Sequence, residues 1–167
     1  MPSSSENFSS WCHDMVRANF RSAIQAADGE WLPLMVGGPS PDARTYMELQ
    51  DVFEEHGKDV VLEAWAPIQV QVEGWTEAAL ITAAWTAPLR DDGTAPSEDP
   101  QRSEVVYIAA YIRGSRPWAF TAPIIRTDGK AARLGRWSRA PGPLEGKGVG
   151  AMQAAVDGDL LLDVPAE

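Results

Sequence analysis

Cysteine and histidine are scarce in this chain, whose 167 residues include one cysteine, Cys12, and two histidines. A single cysteine excludes an internal disulfide bond, and no cysteine and histidine residues stand at the spacing of a zinc site. We therefore expect no metal ligands and no cofactor.

Long apolar runs are missing as well. No stretch approaches the roughly 20 apolar residues that a membrane-spanning helix needs. The first residues, MPSSSENFSSW, lack the basic and apolar regions of a signal peptide. We therefore expect a cytoplasmic protein without a membrane partner.

Basic residues are too few to balance the acidic ones. The chain has 14 lysines and arginines against 24 aspartates and glutamates, which gives a net charge of -10. A molecule with this charge repels nucleic acid. We expect a protein partner or self-association, and no nucleic-acid partner.

The composition is otherwise that of a globular domain. Apolar residues make up 44% of the chain and charged residues 23%, and seven tryptophans supply large side chains for a core. The length suits one domain. We predict a single α+β domain over residues 9–158, preceded by a disordered tail at residues 1–8 and followed by a C-terminal tail at residues 159–167.

Two helices are predicted in the N-terminal half. Apolar residues recur at helical spacing from Ser9 or Ser10 to a stop at residues 28–29. A second amphipathic helix is predicted over residues 42–57. Between them, the short apolar run at residues 30–36 contains a proline and predicts an edge strand.

The rest of the chain predicts mostly strands. Alternation within residues 60–72 predicts a strand, with Glu73 and Gly74 as a hairpin turn. In residues 76–86 the alanines favour a helix, whereas the preceding turn and the alternation favour a strand, which we predict. Three further strands joined by turns form an antiparallel meander, over residues 104–113, 117–126 and 131–139.

Together these elements predict an α+β fold. We expect an antiparallel sheet of about five to six strands that ends in the meander, with two helices in the N-terminal half. A short C-terminal helix is predicted to begin at Gly150 or Ala151.

Positive charge is concentrated in the meander. Half of the basic residues lie there, namely Arg113, Arg116, Arg126, Lys130, Arg133, Arg136 and Arg139. Arginine beside an aromatic ring can hold a carboxylate or phosphate through its planar fork. The alternative is that these arginines form weak surface ion pairs with the protein's own carboxylates. The candidate ligand-binding residues are Arg113, Arg116, Trp118, Arg126, Arg133, Arg136 and Trp137.

No catalytic residues are predicted. Cys12, His13 and Asp14 are consecutive, and neighbours on a helix point about 100° apart, so they do not face one another as a nucleophile and its base must. The second predicted helix carries an acidic face of Glu48, Asp51, Glu54 and Glu55, which is typical of a solvated surface.

A glycine-rich segment, EGKGVGAMQAAV, precedes the predicted C-terminal helix. Backbone amides at a helix start can hold an anion, so the candidate anion loop consists of Gly146, Lys147, Gly148, Val149 and Gly150. The segment resembles the acetyl-coenzyme A loop of the acyl-coenzyme A-dependent acyltransferases. The arginine or glutamine that leads the family's motif would fall at Pro143 or Leu144, so the segment departs from the motif there. In addition, few residues follow the helix. The alternative is a glycine-rich connection without a ligand.

These patterns lead to three hypotheses of function. The first is a small acidic non-catalytic binding or adaptor protein, which neutralises or chaperones a basic protein partner through its acidic helical face. An acyl-coenzyme A-dependent acyltransferase that uses the glycine loop is the alternative. The third hypothesis is a subunit of a homo-oligomeric assembly that buries several tryptophans.

Overall fold

The computed structural model describes residues 4–26, 31–86, 91–95, 98–127, 132–140, 144, 146 and 148–160. The helices are α1 (Ser4–Ala26), α2 (Gln50–His56), α3 (Lys58–Val60), α4 (Ala66–Val72) and α5 (Val149–Asp157), with a 3₁₀ turn at Pro41–Ala43 and a π-helical segment at Val61–Trp65. The strands are β1 (Leu34–Gly38), β2 (Thr45–Glu48), β3 (Glu77–Thr86), β4 (Ser103–Ile112), β5 (Trp118–Ile125), β6 (Arg133–Leu134) and β7 (Ser138–Arg139).

The strands form one antiparallel sheet in the order β2-β1-β3-β4-β5-β6. Strand β7 also pairs with β5, beside its first half, whereas β6 pairs with its second half. The predicted α+β fold with an antiparallel sheet is therefore confirmed.

Helices cover both faces of this sheet, which creates two cores. One core lies under α1 and includes Val36, Ile81 and Val106. The other lies under α4 and α5 and includes neighbouring strand residues such as Met35 and Ala109. Successive side chains of a strand point to opposite faces, and a strand buried on both faces reads as a continuous apolar run. This explains the sequence VVYIAAYI of β4.

Helix α1 begins earlier than predicted. It starts at Ser4, and Phe8, Cys12 and Val16 are fully buried at intervals of four residues. The predicted start at residue 9 or 10 is wrong, because Phe8 adds one more turn of apolar face to pack against the sheet. The predicted stop at residues 28–29 lies outside the described residues.

The second predicted helix is wrong over its first half. Within residues 42–57, the strand β2 forms a hairpin with β1, in which Met47 lies opposite Met35, and α2 begins only at Gln50. Pairing with β1 outweighs the helical spacing, since Thr45 and Tyr46 suit a strand. The predicted edge strand is also corrected, because β1 lies between β2 and β3 and β2 forms the edge.

The strand predicted within residues 60–72 is helical instead. In the helix, Val70 is buried whereas Ile68 and Val72 are exposed, so the alternating valines do not share one face. Pro67 has no backbone N–H to donate within the helix. The backbone N–H of Ala66 bonds to the carbonyl of Val61, five residues back, and this hydrogen bond defines the π-helical turn. The alternation covers only five residues, and the packing of this segment against the second core outweighs it.

Gly74 ends this helix and does not form the predicted hairpin turn. Its φ angle is 69°, in the left-handed region that glycine adopts without strain. The N–H of Trp75 bonds to the carbonyl of Val70, and the N–H of Gly74 bonds to that of Gln71. These are the two hydrogen bonds of a Schellman helix end.

The remaining elements follow the prediction. Residues 77–86 form the strand β3, and the meander is present as β4 and β5 followed by β6 and β7. Its third strand is split at Gly135, whose N–H donates to the carbonyl of Pro123 at 2.8 Å. Helix α5 begins at Val149, one or two residues before the predicted start at Gly150 or Ala151. Within the described parts of the chain, no helix is both long and apolar enough to span a bilayer.

Candidate functional site

A cleft of about 370 Å³ opens on the α1 side of the sheet, beside strand β5. Helix α1, the turn between β4 and β5, and the paired strands β5 and β7 each contribute side chains to it. The lining residues are Ser9, Ser10, His13, Ser115, Arg116, Trp118, Phe120 and Arg139.

Two arginines provide the charge of the cleft. Arg116 lies in the β4–β5 turn, and the guanidinium of Arg139 lies over the Trp118 ring, 5.8 Å from its centroid. The β5–β7 register places Arg139 opposite Phe120 and so fixes its position beside the cleft. No ion pair found among the described residues involves either arginine. Neither guanidinium group thus has a competing carboxylate in the part of the chain that the structure describes.

His13 forms an aromatic wall of the cleft. Its ring stacks on Trp137 at a centroid distance of 4.6 Å and meets Phe120 edge to face at 4.9 Å. Burial lowers the pKa of His13 below its ordinary value of 6.5, the charge of Arg17 lowers it further, and Asp14 opposes both effects. The Nε2 atom is buried without a hydrogen-bond partner among the described groups.

The cleft residues suit binding of an anion. Guanidinium groups and hydroxyls donate hydrogen bonds to carboxylate or phosphate oxygens, and the aromatic side chains limit the access of water. Cys12 cannot serve as a nucleophile beside His13, because its side chain points into the core and burial raises its thiol pKa to about 12. No group of three metal-ligating side chains occurs in the described part of the chain.

Two of the predicted arginines have structural partners. Arg113 donates from Nε to the carbonyl of Val156 at 2.7 Å and so fastens β4 to the end of α5. Arg126 binds the Glu104 carboxylate on β4 through Nε at 2.8 Å and Nη2 at 3.0 Å. The ion-pair alternative therefore describes Arg126, whereas Arg113 makes a structural hydrogen bond to a backbone carbonyl.

The other predicted residues divide between the cleft and open surface. Arg116 and Trp118 line the cleft, and Trp137 supports it through His13. Arg133 and Arg136 are exposed and are not among the lining residues.

Sequence reasoning missed the contribution of α1 to the cleft. Ser9 and His13 are four residues apart and thus share a helix face, which is the one signal in the sequence. Nothing local indicates that this face lies against Phe120 and Arg139, because that contact depends on how α1 packs on the sheet.

The candidate anion loop is only partly described, and Lys147 lies outside the described residues. Gly148 has a φ angle of 80°, and a Cβ atom there would collide with the backbone carbonyl of Leu62. This glycine therefore allows the start of α5 to approach the π-helical segment closely, while Gly146 and Gly150 are exposed.

The residues of the predicted acidic face belong to two elements. Glu48 lies on β2, whereas Asp51, Glu54 and Glu55 lie on α2, and all four are exposed. The tryptophans are largely used within the chain, since Trp31, Trp75 and Trp118 are buried and Trp85 alone among the seven is more than a third exposed.

Comparison with known proteins adds no relative to these observations. The chain matches no protein-family model, no curated protein sequence and no solved structure.

Proposed function

We propose that this chain is a non-catalytic cytoplasmic binding protein that holds a carboxylate-bearing segment of a protein partner in the cleft between α1 and β5. The observation that carries the proposal concerns the ion pairing of Arg116 and Arg139. In a chain with a net charge of -10, these two arginines border an open cleft and form no ion pair with a described carboxylate.

The arrangement favours a planar anion over a diffuse charge. Arg139 lies over Trp118, so part of its conformational freedom is already lost before a ligand arrives. A guanidinium offers two parallel N–H donors that match a carboxylate. The hydroxyl groups of Ser10 on α1 and Ser115 in the β4–β5 turn also line the cleft and can donate to the same anion.

The net negative charge does not prevent such binding. Charges further apart than about 8 Å are largely screened at physiological ionic strength. An acidic segment that reaches the cleft is therefore affected mainly by the arginines beside it, and the rest of the surface slows its approach without cancelling the local attraction.

The test uses a rhodamine-labelled peptide of six glutamates, with a peptide of six glutamines as the control ligand. Binding is measured by fluorescence anisotropy for the natural chain and for the double variant Arg116→Gln/Arg139→Gln. We expect the variant to bind the acidic peptide at least about 10-fold more weakly, because a hydrogen bond to a charged group contributes about 1.5–3 kcal/mol.

A second double variant, Arg133→Gln/Arg136→Gln, makes the same change of charge outside the cleft. It should keep nearly the natural affinity. Equal losses in the two double variants, or no preference for glutamate over glutamine in the natural chain, would show that the cleft is not the binding site.

A further inference from the structure

An apolar stripe runs along the outer face of the helical segment after Gly57. It consists of Val60, Ala64, Ile68 and Val72, which are four residues apart. Val60 is 53% exposed, Ile68 38% and Val72 65%, and Ala64 is also exposed. The core is served by other residues of this segment, so the stripe has no partner among the described residues.

Exposed carboxylates occur on the same helical segment as the stripe and on the helix before it. Glu63 and Glu73 are exposed on the same helical segment. Helix α2, which immediately precedes it, adds the exposed side chains of Asp51, Glu54 and Glu55. Residues 50–73 carry six acidic residues and one lysine, Lys58, so the segment that bears the apolar stripe is negative overall. Such a surface is the complement of a basic amphipathic helix.

We propose that the apolar stripe binds an amphipathic helix of a protein partner whose apolar face is bordered by lysines and arginines. Apolar residues spaced three or four apart on that helix would cover the stripe, and its basic side chains would reach the carboxylates. The stripe and the cleft lie on opposite sides of the sheet, so both can be occupied at once. The protein would then connect a basic helix to an acidic segment.

The charges argue against a second copy of this chain as the occupant. A two-fold symmetric dimer places the same patch of each copy against the other. The carboxylates beside the stripe would then face like charges, which costs free energy at an interface.

The probe is a synthetic peptide of about 18 leucines and lysines whose sequence forms an amphipathic helix. A peptide of the same composition, with the order changed so that no apolar face forms, is the control for charge alone. Affinities are measured by fluorescence anisotropy, with circular dichroism melting to verify that each variant is folded. We expect the amphipathic peptide to bind at least about 10-fold more tightly than the reordered one.

The double variant Ile68→Gln/Val72→Gln keeps the charge and removes the apolar contact. It should bind the amphipathic peptide as weakly as the reordered one. The control Leu32→Gln changes another exposed apolar residue (40% exposed) and should leave the affinity for the amphipathic peptide unchanged. The variant Glu63→Gln/Glu73→Gln should weaken binding and reduce its dependence on salt. The affinity of the stripe variant for the acidic peptide at the cleft should stay the same.

Three results would overturn this proposal. Equal binding of the two basic peptides by the natural chain would show attraction by net charge only. A dimer in sedimentation that Ile68→Gln/Val72→Gln dissociates would identify a second copy as the occupant. An affinity for the amphipathic peptide that Ile68→Gln/Val72→Gln leaves unchanged would show that this peptide binds elsewhere on the molecule.

Discussion

The Arg44 side chain shows how much one buried charge can determine in this fold. Its Nε atom lies 2.6 Å from Oε1 of Glu77, and both side chains are less than a tenth exposed. The guanidinium also lies 5.4 Å from the Phe8 ring centroid and 5.2 Å from that of Trp11. Arg44 therefore joins the start of β2 to β3 and to α1.

Replacing Glu77 by Gln should strongly destabilise the protein. The change leaves the charge of Arg44 buried without a counter-ion, which typically costs about 3–5 kcal/mol. The matched control is Glu104→Gln, which breaks the more exposed pair with Arg126 and should cost less than about 1 kcal/mol. Urea denaturation measures both values, and similar losses for the two variants would contradict this account.

His13 should make binding at the cleft depend on pH. Its pKa is lowered in the free protein, mainly by burial, so the imidazole there is neutral near neutral pH. A carboxylate in the cleft favours the charged form and raises this pKa, so binding takes up a proton and the affinity for the acidic peptide rises as the pH falls from about 8 to 5.5.

The variant His13→Gln separates this effect from titration of the peptide. The peptide carboxylates lose their charge only near pH 4.3 or below, outside the range of the measurement. The variant should bind with an affinity that is nearly constant over that range. A slope as steep as that of the natural chain would assign the pH dependence to another group.

The lowered pKa of His13 also affects the stability of the free protein, which decreases as the pH falls. Because the pKa of folded His13 lies below the ordinary value of 6.5, the unfolded chain takes up a proton first as the pH falls. The contribution of neutral His13 to the free energy of unfolding is therefore complete above the ordinary pKa and is lost as the pH falls toward the pKa of the folded state.

At the scale of elements, the start of α5 depends on close contact with the π-helical segment. Gly148→Ala should destabilise the protein by about 1–3 kcal/mol, because the φ angle of 80° is strained for alanine and the methyl group meets the Leu62 carbonyl. Gly150 is exposed within α5 and has open space around it, so Gly150→Ala should stabilise by about 0.5–1 kcal/mol. Thermal unfolding of both variants measures the difference, and equal effects would contradict the proposed contact.

The elements also show where sequence patterns are sufficient. Strand β4 was predictable from strong local signals, whereas the alanines of β3 fitted a helix as well, and pairing with β4 over ten residues makes it a strand. The segment of residues 60–72 was not, since IQVQV fits a strand by itself and becomes helical only because Val61, Ala66 and Val70 pack against the second core. Strand β2 is short and exists only through its pairing with β1.

For the whole molecule, the order of predicted helices and strands indicated the class of fold and the composition gave the excess of negative charge, but neither located the site. Seven basic residues in the meander suggested one binding face, and the structure uses Arg113 and Arg126 to fasten elements together. The cleft combines residues of α1 with residues of β5 and β7, which lie far apart along the chain. No local pattern can reveal such a contact.

The dependence of one core on α1 has a consequence for synthesis of the chain. During translation α1 leaves the ribosome well before β4 and β5, which complete the surface beneath it. At about 5–20 residues per second, the apolar face of α1 waits for seconds before it can be buried. Over that interval Phe8, Val16 and Phe20 form a nascent segment that chaperones can bind.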